Sequence, residues 1–268
     1  MPVHCPLAIR PLNPDEFAQL DYRIMGHAYA CQNDLGRFCE ESVYEADLKV
    51  RLLAGGFREV HTQVPVTVTH RDFTKTYFLD LVADDALYEL KTAVAFTGEH
   101  EAQMLHYLFL RDVRRGKLLN FRPAKVQGRI VATGLSVDDR RRFQARTSRW
   151  REVSPACATL RETLLAILAD WGAFLDIALY QEALIHFLGS EARVTQRLPL
   201  VRAGHPLGTQ RFLVRAPGVA FRITAFTQKP AEQERHLRRL LSLTGLNTLQ
   251  WINLNHSEIE FTTLMSEE

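Results

Sequence analysis

Asp80, Glu89 and Lys91 are the residues of this chain whose types and spacing could do chemistry. They lie in Phe78-Leu79-Asp80-Leu81-Val82-Ala83-Asp84-Asp85-Ala86-Leu87-Tyr88-Glu89-Leu90-Lys91, two apolar runs separated by an Asp-Asp pair, the pattern of two strands joined by a tight turn. With Asp84 and Asp85 as the loop residues, Ala83 faces Ala86, and the ladder continues outward until Asp80 stands opposite Glu89. Two carboxylates then share one face with Cβ atoms roughly 5 Å apart, a like-charge pair that weakens the hairpin unless a cation offsets it. Lys91 emerges on the same face, because side chains alternate with period two. A hard divalent ion held by one or two carboxylates and several waters would complete the compensation. Acids beside a turn are also common on solvated hairpin faces. Here Leu79, Leu81, Val82, Leu87 and Leu90 predict that both strands are buried, and a buried carboxylate pair is costly enough to point to function.

Other segments must bring further groups to this pair. Asp15 is expected to cap a first helix through Leu20, and a second helical stretch runs from Met25 to Leu35. After Gly36, Phe38 to Ala54 has helical spacing and ends at Gly55-Gly56. Glu41, Tyr44 and Leu48 fall on one stripe of it, so Glu41 is a candidate third acid, with a boundary glutamate as the plainer reading. Gln63 to Thr69 alternates and is rich in β-branched residues, a strand in which Pro65 signals an edge or a start. Glu99 to Val113 reads as a helix from which Gln103, four residues before Tyr107, could reach the acids or simply face solvent. Leu118 to Phe121 and Arg129 to Thr133 read as further strands. The expected fold is α/β, a mixed sheet with helices on its faces, not a doubly wound one.

The chain has 268 residues and a net charge of only +2, so no overall basicity advertises a polyanionic partner. Locally, Arg111 to Arg151 holds 13 Lys or Arg against three Asp, a stretch that could track a phosphate backbone or be a solvated surface. Cys5, Cys31, Cys39 and Cys157 show neither CxxC spacing nor paired histidines, which argues against a zinc site or a disulfide framework and fits a reducing, cytoplasmic setting. Neither a signal peptide nor a membrane span is visible.

Ser136 to Pro155, arginine-rich and poor in apolar residues, reads as a linker or a mobile helix. The domains expected are therefore 1–135, a linker over 136–156, and a second α/β domain over 157–268. In that domain Thr159 to Leu188 reads as helix, Thr195 to Leu200 as a strand, Phe212 and Phe221 as centres of a strand pair, and Ala231 to Leu243 as helix. At an offset of 133 residues Gln63 meets Gln196, Tyr88 meets Phe221, Leu108 meets Leu241 and Asn120 meets Asn253, and with a small shift Val43 to Leu48 falls on Leu179 to Leu184. Asp80 is set against Val214, Glu89 against Arg222 and Lys91 against Thr224, so a second copy would keep the fold and lose its acids.

Together these residues resemble the PD-(D/E)XK nuclease superfamily and, more narrowly, the bacterial family named for its GxxExxY motif. The matching residues are Leu35-Gly36, Glu41 to Glu45, Gln63 to Val66, Leu79 to Val82, Tyr88 to Lys91, Gln103 with Tyr107-Leu108, and Leu118 to Phe121, within Asp21 to Thr133. Phe38 stands where the motif has glycine. The resemblance implies a restriction-endonuclease-like sheet in which Asp80 and Glu89 bind Mg2+ or Mn2+ and Glu41 supports the ion directly or through water. It also implies that Lys91 orients the attacking water or stabilises the scissile phosphate, that Gln103 assists, and that Tyr44 packs. Three carboxylates with no Cys or His cluster favour those ions over zinc. The expected activity is metal-dependent hydrolysis of nucleic acid, DNA in the leading reading, by a chain that is an intrachain pseudo-dimer if the second copy is real. The alternatives are a catalytically inert nucleic-acid-binding module on the same fold and a protein-interaction module that docks an acidic partner.

Overall fold

The computed structural model describes residues 2–266, and its chain divides into two units, Pro2–Val137 and the residues from Asp138 onward. Among the described residues no helix is long and apolar enough to cross a membrane.

The first unit begins with strand β1 (Val3–His4) and a long helix, α1 (Pro14–Leu35). Asn13, not Asp15, caps α1: its side chain accepts the Asp15 and Glu16 amides, and Glu16 reaches back to the Asn13 amide at 2.9 Å. Pro14 takes the first helical position, where its missing N–H costs nothing. The two helical stretches expected before Gly36 are therefore one helix, which ends where Gly36 turns to φ 75°. Helix α2 (Glu41–Ala54) starts three residues later than expected and ends at Gly55-Gly56. The Tyr44 hydroxyl ties the connection together, donating to the Gly36 carbonyl at 2.8 Å and accepting the Cys39 amide at 3.3 Å.

The sheet of this unit has the order β1, β2 (Val60–His70), β3 (Phe73–Ala83), β4 (Ala86–Lys91), β5 (Arg115–Asn120), β6 (Gln127–Ala132). Only β4 and β5 run parallel, and α3 (Gly98–Arg111) makes the crossover between them. Pro65 does lie on an outer edge, since β1 pairs with β2 only at Thr67 and Val68. A Cβ on Gly116 would meet the Met104 sulfur at 2.7 Å, so glycine lets α3 lie close on β5. Tyr44, Leu48, Tyr88, Leu90 and Phe121 share the core against α1 and α2, and the Tyr44 and Phe121 rings stack 4.4 Å apart.

The stretch expected as a linker carries α4 (Val137–Arg141) and β7 (Gln144–Arg149). Arg140 is buried, donates to the Trp171 carbonyl at 3.1 Å, and through its own carbonyl accepts the Ala173 amide. A cation at the last carbonyls of a helix offsets their partial charge, so this arginine is interior structure, not solvated surface. β7 is exposed throughout on a sheet edge, which explains its linker-like composition. Helix α5 (Pro155–Trp171) stops at Gly172, φ 81°, and α6 (Ile177–Phe187) follows, where one helix was expected. After α7 (Glu191–Val194) come β8 (Thr195–Arg202), β9 (His205–Ala216), β10 (Val219–Thr224), α8 (Pro230–Ser242), β11 (Thr248–Asn255) and β12 (Glu258–Met265). The sheet order is β7-β12-β11-β10-β9-β8, with β10 parallel to β11 and β7 parallel to β12.

Candidate active site

The hairpin of β3 and β4 turns on Asp84 and Asp85, whose φ angles of 44° and 70° meet the left-handed requirement of a type I′ turn. Asp84 Oδ1 fixes the turn by accepting the Arg58 and Glu59 amides at 3.0 and 2.9 Å. The register then runs Ala83 to Ala86, Val82 to Leu87 and Leu81 to Tyr88. The next pair in this register would be Asp80 and Glu89, but there the backbone ladder ends. Asp80 Oδ2 instead accepts the Leu90 amide at 2.9 Å, so a side chain takes the place of a strand carbonyl. β4 stays with β5, Glu89 beside Leu118 and Lys91 beside Asn120, while β3 stays with β2. The two strands thus part at the acids.

Lys91 Nζ donates to Glu89 Oε1 at 2.7 Å. Glu89 is 1% exposed, and among the described residues its Oε2 has no hydrogen-bond partner. Burial, and then the charge of Asp80, push the Glu89 carboxyl up to about 8, against the smaller opposing pull of Lys91. Asp80 is also raised by burial, although the Leu90 amide and Lys91 work against it. Burial alone would lower Lys91, but the carboxylates of Glu89, Asp80 and Glu41 hold it above the usual lysine value. The two acids lie in the field of one ammonium, which bonds to Glu89.

Glu41 is the first residue of α2, and its Oε1 accepts the Thr92 amide at 3.0 Å and the Thr92 hydroxyl at 3.4 Å. That places it at the end of β4, one residue beyond Lys91, where its charge acts on both Asp80 and Lys91. Gln103 is arranged differently. Its amide donates to the Tyr107 hydroxyl at 3.1 Å on its own helix, and among the described residues it makes no hydrogen bond to Glu41, Asp80 or Glu89.

Glu45 and Gln63 join the site without having been singled out as site residues. Gln63 lies between the pairs Thr62 with Leu81 and Val64 with Leu79, hence across from Asp80, and it adopts φ 51°, an uncommon conformation for a residue with a side chain. Its Nε2 donates to Glu45 Oε2 at 2.5 Å and approaches Asp80 Oδ1 at 3.4 Å. Burial raises the Glu45 carboxyl, and Asp80 adds to this against the bond from Gln63. The helical repeat from Glu41 and the register of β2 against β3 are the signals that mark these two residues.

Among the described residues no group of three or more His, Cys, Asp or Glu is gathered tightly enough to hold a metal by itself. Asp80 and Glu89 nevertheless offer what an octahedral ion asks of a protein, one or two carboxylates with the remaining positions left to water and substrate. The unpartnered, buried Oε2 of Glu89 is a hard oxygen donor of this kind.

Residues 18–131 match the sequence model of the PD-(D/E)XK nuclease superfamily. No curated protein and no solved structure matches the chain.

Proposed function

We propose that the chain is a Mg2+- or Mn2+-dependent nuclease that hydrolyses phosphodiester bonds of DNA, with the first unit as its catalytic part and as a member of the GxxExxY family. The observation that carries this reading is the buried Glu89 carboxylate, held on one oxygen by Lys91 and open on the other, beside Asp80 in a segment that matches a nuclease superfamily. Asp80 and Glu89 would hold the ion, and Glu41 would support it through water. When bound, such an ion lowers the pKa of a coordinated water and offsets charge on the phosphate.

The chain's own groups do the rest. In the metal-free protein Glu89 keeps its proton up to about pH 8, and ligation requires that proton to leave. Lys91 stays charged beside Glu89, where its ammonium can orient a water and stabilise the negative charge that develops on the scissile phosphate. Gln63 restrains Asp80 and Glu45 from behind, the role of an outer hydrogen-bond partner. Localisation in the reducing cytoplasm is supported by four free cysteines.

The second unit is proposed as a degenerate copy, which makes the chain an intrachain pseudo-dimer with one active and one emptied site. Three observations support this. From α1 in the first unit and from α5 in the second, both run two helices, three antiparallel strands, a helix, a strand parallel to the third, and a final antiparallel strand, with β1, α4, β7 and α7 as additions. Tyr180 donates to Gly172 at 2.6 Å and accepts the Leu175 amide at 3.3 Å, as Tyr44 does with Gly36 and Cys39. Asn253 clamps the Phe226 amide and carbonyl as Asn120 clamps those of Ala93.

The test is conversion of supercoiled plasmid and of linear duplex by the purified protein with Mg2+, with Mn2+ and with EDTA. Metal-dependent cleavage that disappears in Asp80→Asn is expected. Binding without cleavage under every metal condition would leave the inert nucleic-acid-binding alternative.

A further inference from the structure

In the second unit, β9, β10 and the helices α6 and α8 enclose a cleft of about 230 Å³. Its polar lining consists of Arg211, Arg222, Gln181 and Gln210, over an apolar floor that includes Phe212 and Phe221, and no carboxylate lines it. The two arginines are donors only, and the two amides can both donate, so the lining presents hydrogen-bond donors, with Glu191, outside the lining, competing for Arg211. Arg211 is partly committed, donating to Glu191 Oε1 at 2.6 Å. Arg222 is exposed and, among the described residues, makes no ion pair or hydrogen bond through its side chain. An unpaired guanidinium in a concave, acid-free site is suited to a planar or tetrahedral oxyanion, which it can engage through two N–H groups at once.

The register sharpens the reading. Arg222 follows Phe221 on β10 and pairs with Trp251 on the parallel strand β11, as Glu89 follows Tyr88 on β4 and pairs with Leu118 on β5. Leu213 stands opposite Phe221 as Leu81 stands opposite Tyr88, so buried Phe212, and not Val214 as the constant offset suggests, occupies the place before it that Asp80 holds in the first unit. One acid position is filled by an aromatic ring, and the other has reversed its charge. A cleft that would gather a cation in one unit would gather an anion in the other.

We infer that this cleft is a phosphate-binding site, with Arg222 as its principal anchor, that holds a phosphate of a nucleic-acid strand without cutting it. This deepens the proposed nuclease reading by assigning the emptied copy a ligand of its own.

The experiment uses the full chain carrying Asp80→Asn, in EDTA, so that binding is read without cleavage. Fluorescence anisotropy with a labelled duplex is compared in that background with and without Arg222→Ala and Arg222→Lys, over a series of salt concentrations. Arg222→Ala is expected to weaken binding about 10-fold and to reduce the slope of log affinity against log salt by about 1, and Arg222→Lys to recover part of both. Affinity and slope unchanged in Arg222→Ala would overturn the proposal. Competition with ATP and with inorganic phosphate separates the sources of the phosphate. Displacement of the duplex only by unlabelled strands supports a backbone site, whereas ATP that binds tightly and loses that binding in Arg222→Ala would make it a nucleotide site and overturn the strand assignment. Because no arm requires hydrolysis, failure here leaves the catalytic reading standing, and an inert first unit leaves this result readable.

Discussion

The Lys91 ammonium donates to Glu89 Oε1 at 2.7 Å, and the other oxygen of the same carboxylate, Oε2, is buried and has no hydrogen-bond partner among the described residues. A buried carboxylate ordinarily saturates its acceptors, since an unmet one costs on the order of 1–3 kcal/mol. Here one oxygen is held by a cation, and the Asp80 carboxyl is the acidic neighbour acting on the same group.

This relationship sets a pH dependence. Glu89 is pushed up to about 8 in the folded, metal-free protein, and Asp80 is raised in the same direction. Between the usual carboxylate range and that value the folded state holds a proton that the unfolded chain has released, so stability is greatest at low pH within this window and falls as pH rises through it. Urea midpoints measured in EDTA at about pH 5 and about pH 8.5 should drop more for the wild type than for Glu89→Gln. Equal drops would mean that Glu89 is not titrating in the window.

Lys91 separates binding from chemistry. With Lys91→Ala the carboxylates remain and lose their competing cation, so metal affinity should persist within a few-fold while cleavage at saturating metal falls about 100-fold or more. Parallel titration calorimetry and plasmid cleavage would read the two effects. Loss of metal binding together with cleavage would instead make Lys91 a structural partner of Glu89.

Gln63→Ala removes the bond to Glu45 and the contact with Asp80, but nothing in contact with Glu89. The expected loss is about 10–100-fold in metal affinity or cleavage, the usual cost of an outer partner. Gln63→Glu should be worse, because it adds a third carboxylate to Glu45 and Asp80. Activity within two-fold of wild type in both variants would remove Gln63 from the site.

Tyr44→Phe and Tyr180→Phe test the local scaffolds. Each deletes a hydroxyl that satisfies a glycine carbonyl and a loop amide, and each should cost about 1–2 kcal/mol in the unfolding transition of its own unit. Differential hydrogen exchange would locate the loss. Destabilisation spread evenly over both units would argue against separate caps.

Much of the site was legible because hairpin register follows from turn length. Asp84 and Asp85 as loop residues set the register as far as Leu81 with Tyr88, the pair next to Asp80 and Glu89, and the apolar flanks announced the burial of Glu89. The parting of the strands at Asp80 was not legible, because a carboxylate that accepts the Leu90 amide has the same composition as one facing water. Gln103 stood at a plausible spacing, yet its amide bonds to Tyr107, a choice that depends on side-chain rotamers rather than on the helical repeat. Arginine content misled at Arg140, where a cation that neutralises helix carbonyls is buried, and along β7, an edge strand exposed on every residue. Gly172 interrupts what helical periodicity joined, since a single left-handed residue outweighs the propensities on either side.

The most direct measurement is calorimetric titration of the full chain with Mn2+ and Mg2+ at pH 7.5, comparing the wild type with Asp80→Asn and Glu89→Gln, chosen to keep size and remove charge. Saturable binding by the wild type, weakened about 10-fold or more in both variants while their circular dichroism stays unchanged, is the expected result. Wild-type binding that both variants retain in full would contradict the assignment of Asp80 and Glu89 as the residues that hold the ion.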